Sequence, residues 1–263
     1  MLDVWSFGGY HLEYKESLVG GEPLWESHCH AGFEAIAVLE GDITVGYEGK
    51  RVRITAGQCA LLSPLAYHTV DANHRGAYRR VTALFDTASI PAPLRERLAS
   101  AGKEIYLVPF PEAEELRAAY LSSDREFFAP LAESILVRML YDAVRIGGAA
   151  EVAQVDPPLE KILSYIDAHL CEPIALNAIA SAAMLSKSSL CHLFAERMQI
   201  SPKQYILKKK LALARARIGE GMMPTEAALS VGYEDYSSFY RAYKNHFGER
   251  PSEGAGAFWR KRK

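Results

Sequence analysis

Ala228-Leu229-Ser230-Val231-Gly232-Tyr233-Glu234-Asp235-Tyr236-Ser237-Ser238-Phe239-Tyr240-Arg241-Ala242-Tyr243-Lys244 reads as the end of a short helix, a tight turn and a second helix. Ala227 and Ala228 are small enough for a second helix to cross close to the first. Gly232 can take the left-handed backbone that a tight turn needs. Asp235 is placed to cap the second helix, whose Phe239 and Tyr243 lie four residues apart on one inward face. Helical hairpins of this kind are common, so one copy decides little. A second copy lies about 48 residues upstream: Ala178-Ile179-Ala180 on a short helix, a turn at Met184-Leu185, Ser186 as cap, and Leu190, Leu193 and Phe194 facing inward. The segments from Pro158 onward read as helices over 159–170, 175–183, 186–197, 202–219, 224–231 and 235–247, the fourth bridging the two copies.

Paired in this way, the two second helices can enter successive major-groove segments on one face of a DNA duplex. The charge distribution points the same way. Residues 1–156 hold 14 Lys and Arg against 22 Asp and Glu, a net of −8, whereas residues 157–263 hold 16 against 10, a net of +6, ending in Arg260-Lys261-Arg262-Lys263. A basic half joined to an acidic half fits a nucleic-acid-binding domain attached to a domain with another task, although unlike solvated surfaces give the same asymmetry.

The C-terminal region resembles the AraC/XylS family of transcription regulators over about residues 158–252. Ala228-x-x-x-Gly232-Tyr233-x-Asp235-Tyr236-Ser237-Ser238-Phe239-x-Arg241-x-Tyr243-Lys244-x-x-x-Gly248-x-x-Pro251 follows the family signature, and Ser186-x-x-x-Leu190-x-x-x-Phe194, Ser201-Pro202-x-x-Tyr205 and Lys210-Leu211-x-x-Ala214 match the first unit and the bridge. The first unit departs from the family, with His192 in place of Arg, Ala195 in place of Lys and Gln199 in place of Gly. The resemblance implies base reading by Ser188, Cys191 and His192, beside Lys187, in the first unit. In the second it implies contacts from Tyr236, Ser237, Tyr240 and Arg241, with Lys244 nearby. Ser and neutral His make single hydrogen bonds to base edges, not the bidentate contact of Arg with guanine, so the second unit is expected to contribute more of the specificity. Lys208-Lys209-Lys210 and Lys244 are expected, if functional, to meet phosphates, which adds affinity without reading sequence. Ser186 and Asp235 are read as caps, and Phe194, Tyr205, Phe239 and Tyr243 as core.

Residues 10–90 read as short strands: Ala35–Leu39, Ile43–Tyr47 and Cys59–Leu62 are apolar runs separated by Gly, Asp and Pro signals, as in a β-sandwich or small barrel. After Pro109 the period is helical. Pro111 opens one helix and Pro130 a second, whose Leu131, Ile135, Leu136, Met139, Leu140, Ala143 and Val144 form an apolar face, either core or a dimer seam. Strand alternation puts His28 and His30 on one face and Cys29 opposite, where it reads as packing. Glu34 follows after a turn or on the next strand, and His68 comes from a distant one. Three imidazoles and a carboxylate suit a divalent transition metal. The spacing His28-x-His30-x3-Glu34-x6-Gly41 resembles the first cupin motif, while the second is degraded, with Pro64 displaced and only His68 in place. The same histidines can instead line an effector pocket. Trp25, Phe33, Tyr47 and Tyr67 are candidate walls for that pocket, though aromatics at these spacings also suit a core. Arg51, Arg53, Arg79 and Arg80 can meet an anion or simply lie on solvated strand faces.

The expected fold class is therefore α+β: a cupin-like β-sandwich or barrel with trailing helices over 1–148, serving effector binding and dimerisation, a linker over 149–157, and an all-α domain of two helix-turn-helix units joined by a long helix over 158–263. Apolar and charged contents of 49% and 24% are those of an ordinary globular protein. No run reaches the roughly 20 apolar residues of a membrane span, and no secretory signal pattern opens the chain, so a cytoplasmic protein without a membrane partner is expected. The four cysteines, Cys29, Cys59, Cys171 and Cys191, form no C-x-x-C pair. The leading expectation is a regulator, not an enzyme, that binds double-stranded DNA as a homodimer, answers to a small-molecule effector and can contact RNA polymerase. A metal-dependent cupin enzyme fused to a DNA-binding module is the alternative, and a constitutive DNA-binding protein with a purely dimerising β-domain a third.

Overall fold

The computed structural model describes residues 2–7, 10–20, 23–73, 75–100, 105–112, 114–116, 118, 125–146 and 156–253. The chain divides into two compact units, the first made mostly of residues up to Val152 and the second mostly of Ala153–Lys263. The expected linker at 149–157 falls almost wholly outside the described residues.

The first unit contains, among the described residues, ten strands: β1 (Leu2–Phe7), β2 (Tyr10–Gly20), β3 (Pro23–His28), β4 (Phe33–Glu40), β5 (Asp42–Tyr47), β6 (Lys50–Thr55), β7 (Gln58–Leu62), β8 (His68–Ala72), β9 (Arg75–Phe85) and β10 (Tyr106–Pro109). They form a six-stranded sheet in the order β1-β2-β9-β4-β7-β10 and a four-stranded sheet in the order β3-β8-β5-β6. Strand β5 shows the alternation of a half-buried strand, with Ile43, Val45 and Tyr47 buried and Asp42, Thr44 and Gly46 partly exposed. Central strand β4 does not, because both its faces are covered. Ile36 and Val38 join Ile43, Val45, Val70 and Tyr78 in one core. Phe33, Ala35 and Ala37 join a second core with Phe85, Leu98, Ile135, Met139 and Leu140. Each fully buried Leu, Ile or Phe of these cores contributes roughly 1.5–3 kcal/mol.

Helices α1 (Ala92–Ser100) and α2 (Arg125–Ile146) supply the far side of that second core. The apolar face of α2, with Ile135, Leu136, Met139, Leu140 and Ala143 buried, is therefore core and not a seam. Pro130 does not open this helix, as the sequence reading expects. It lies one and a half turns inside, and the helix begins at Arg125. A proline there removes the amide that would otherwise bond to the Glu126 carbonyl, so the second turn of the helix does without one hydrogen bond.

The second unit is helical: α3 (Pro157–Ala168), α4 (Leu176–Ala182), α5 (Lys187–Met198), α6 (Pro202–Gly219), α7 (Pro224–Ser230) and α8 (Tyr236–Phe247). These bounds lie within two residues of those read from sequence. Helix α6 joins the two helix-turn-helix units. Its Tyr205 packs edge-on against Phe194 of α5, ring centroids 5.1 Å apart. Further along, Leu211, Ala214 and Ile218 share a core with Ala227, Ala228, Val231, Phe239 and Tyr243. Among the described residues no single helix is long and apolar enough to cross a membrane.

Candidate nucleic-acid interface and metal centre

The two helix-turn-helix units are built alike. In the first, the Ser186 hydroxyl accepts from the Ser189 amide at 3.0 Å. In the second, the Asp235 carboxylate accepts from the Ser238 amide at 2.7 Å. Each bond satisfies one of the amides left over at a helix start, so both predicted caps are present. The Asp235 carboxyl is held below the usual aspartate range, first by the Ser238 amide and hydroxyl and further by the Arg241 charge. Helices α5 and α8 are twelve residues each and end in left-handed caps, at Gln199 with φ 53° and Gly248 with φ 77°.

With Leu190, Phe194, Phe239 and Tyr243 turned inward, the outward faces are set. On α5, Lys187, Ser188 and His192 are exposed and Cys191 is half-buried; on α8, Tyr236, Ser237, Arg241 and Lys244 are exposed and Tyr240 is half-buried. All nine predicted contact residues are thus accessible, on the two helices that follow the turns. Arg241, midway along α8, rests 3.3 Å from the Ser238 hydroxyl in the first turn. The lysine triplet divides differently from the sequence reading. Lys209 has no exposed surface and pairs with Asp167 at 2.8 Å, so it is a buried ion pair and not a phosphate contact. Lys210 is also buried and donates to the Glu172 carbonyl at 2.7 Å.

Residues 179–255 match the Helix-turn-helix domain family. The second unit carries an AraC-type domain. Curated relatives include the probable transcriptional regulator LumQ of Photobacterium leiognathi, 36% identical over 90 residues, covering 34% of this chain and 36% of LumQ. Another is the XylDLEGF operon transcriptional activator 1 of Pseudomonas putida, 31% identical over 134 residues, 49% of this chain and 39% of that protein. The chain thus spans less than two fifths of the length of either. Among solved structures, an AraC-type regulator of Chromobacterium violaceum is 27% identical with a TM-score of 0.36, covering 38% of this chain and 89% of its own. ToxT of Vibrio cholerae O395 has 10% identity and a TM-score of 0.42, covering 93% and 96%.

Before the helical region in sequence, the four predicted metal ligands come together. His28, His30, Glu34 and His68 each offer a ligand atom within 4.8 Å of the others. His28 ends β3, Glu34 is the second residue of β4 and His68 the first of β8. His30 lies beyond the strand, so alternation does not place it. It reaches His28 nonetheless, with ring centroids 5.9 Å apart. The His68 ring is oriented by Nδ1, 3.0 Å from the Ala66 carbonyl, which can accept but not donate. Nδ1 therefore carries the proton, and in the neutral ring Nε2 presents a lone pair to Glu34 Oε2 at 2.9 Å. Two lone pairs at that distance repel unless a proton or a cation lies between them.

Two of the aromatic candidates, Phe33 and Tyr47, belong to different cores. Phe33 stacks on Phe85 in the core beside the helices, Tyr47 belongs to the other core, and Tyr67 is buried. Trp25 is on β3, but its side chain is outside the described set. Cys29 is half-buried, more open than packing predicts. Arg51, Arg53 and Arg79 pair with Asp71, Asp42 and Glu40. Arg80 is buried, 3.4 Å from the Tyr78 hydroxyl, which polarity alone does not foretell.

Proposed function

We propose that this chain is a sequence-specific DNA-binding transcription regulator whose first unit senses a small-molecule effector. The observation that carries the reading is the pair of capped second helices with Ser188 and His192 on one outward face and Ser237 and Arg241 on the other. Selection of bound sequences from a random duplex pool by the purified chain tests it. A consensus of two short blocks centred about one helical turn apart is the expected result. A pool that shows no enrichment over input overturns it.

The quartet of His28, His30, Glu34 and His68 is proposed to hold a divalent transition metal. The donor set fits, and its four ligand atoms lie within 4.8 Å of one another. Such an ion supplies a Lewis-acidic anchor for an oxygen- or nitrogen-bearing effector, and the effector acts only if it binds the DNA-competent arrangement with a different affinity. A homodimer is proposed as the working form. Val137 and Tyr141 of α2, with Leu94 of α1, line an apolar groove of about 590 Å³ on the side of α2 turned from its core.

A further inference from the structure

A second groove, of about 550 Å³, lies within the helical unit between the two helix-turn-helix units. Lys187, the first residue of α5, lines one side. Gly232 and Tyr233, from the turn before α8, line another, and Lys203 and Lys210 of α6 contribute from the bridge. Among the described residues, no acidic side chain lines it. Lys187 and Lys203 are exposed. Lys210 is fixed beneath them: its ammonium donates to the Glu172 carbonyl, and a side chain on Gly232 would meet its Nζ at 3.0 Å. Burial pushes the Lys210 pKa down. An anion in the groove would offset that penalty.

We infer that this groove seats the phosphodiester backbone running between the two major-groove segments read by α5 and α8, with Lys187 and Lys203 as the phosphate contacts. The inference rests on the DNA-binding reading above. The geometry behind it is the position of the groove. It is bordered by the N-terminal end of one reading helix and by the turn that leads into the other. Helices of this type present their N-terminal residues to base edges, and between two successive major-groove segments on one face a duplex presents its minor groove bordered by the two phosphodiester backbones. Three ammonium groups with no carboxylate among them complement that backbone, and phosphate contacts fix register without reading sequence.

The test is a salt titration of the full chain on a mixed-sequence 40-base-pair duplex. The slope of log affinity against log salt falls by about 0.9 for each phosphate that the protein ceases to neutralise. Lys187→Ala with Lys203→Ala is expected to flatten the slope by close to two. Lys161→Ala, an exposed lysine on α3, is expected to leave it unchanged. Circular dichroism of the double variant confirms an intact fold, and Lys203→Arg preserves the slope if charge is what matters. A wild-type chain that binds no duplex overturns the DNA-binding reading itself. A wild-type chain that binds, with the same slope in the double variant, overturns this inference alone.

Discussion

Met184 and Gly232 hold the same place in the two helix-turn-helix turns, and both have a left-handed backbone, with φ of 57° and 78°. Gln199 and Gly248 repeat the relationship at the ends of the two reading helices, at 53° and 77°. The second unit thus places glycine at both left-handed positions and the first at neither. A side-chain-bearing residue in this region is strained by roughly 1–2 kcal/mol. The first unit is therefore built with less margin than the second. Met184→Gly is expected to stabilise the helical unit by a net of about 0.5–1 kcal/mol, once the added freedom of the unfolded glycine is subtracted. Gln199→Gly should act in the same direction. Thermal unfolding followed by far-ultraviolet circular dichroism measures both, and a fall in Tm for both would contradict the strain account.

Gly232→Ala is expected to do the opposite. Beyond its φ, a Cβ there would lie 2.8 Å from the Cys171 carbonyl oxygen and 2.9 Å from the Glu172 carbonyl carbon, both backbone. Backbone cannot swing aside as a side-chain end can, so a loss of about 2 kcal/mol or more is expected in urea denaturation. A loss below half of that would mean the turn tolerates rearrangement.

The Asp235 cap makes stability depend on pH in a known direction. Its folded pKa lies below the ordinary aspartate value, because the Ser238 amide, the Ser238 hydroxyl and Arg241 favour the carboxylate. The stabilisation is fully present above the unfolded pKa, near ~4, and disappears as pH falls through the lowered folded value. Asp235→Asn keeps a capping oxygen while removing the titration, so its melting curve should fall less steeply than wild type below about pH 4. Parallel curves for the two proteins would remove Asp235 from the account.

Arg241→Ala is expected to weaken binding to a selected operator more than His192→Ala, at fixed salt. Only Arg241 of the two offers the forked donor set that reads guanine, and a good bidentate pair is worth about 1–3 kcal/mol. Equal losses in the two variants would place the specificity evenly between the units.

Chain purified without a histidine tag is expected to carry roughly one divalent transition metal ion, and His68→Ala or Glu34→Gln to lose it. Chelation should lower the Tm of the wild-type chain and leave that of the variants unchanged. A wild-type chain free of metal after reconstitution would reduce the quartet to a hydrogen-bonded cluster.

The helical unit is largely legible in the sequence because its signals are local. Ser186 and Asp235 cap helices through bonds that span three residues, and Phe239 and Tyr243 mark a face through a four-residue period. The first unit is less so, for identifiable reasons. Strand β4 is covered on both faces and shows no alternation. Pro130 looks like a helix start because the turn and a half preceding it, from Arg125, lacks a strong period. His28, His30, Glu34 and His68 are readable as a set by spacing, although His30 lies off the strand whose alternation would place it. Arg80 and Lys209 look like surface charge in sequence and are buried in the fold. Lys187, Lys210 and Gly232 each stand out in the sequence, but the groove they form with Lys203 does not, since they meet only through the packing of helices on the bridge.

Helix α6 has one more consequence. Its N-terminal half is packed into one reading unit and its C-terminal half into the other, and Lys209, Lys210 and Arg215 are buried along it with partners on α3, on the segment after it, and at Glu249. Such a helix behaves as a spacer bar of fixed length and fixed twist. On the DNA-binding function proposed above, the two reading heads would then be phase-locked to the duplex. About five base pairs, half a helical turn, inserted between the blocks of an operator would turn one block to the far side, where no flexing of the protein could recover it. A substitution inside either block would forfeit only what is read at that base.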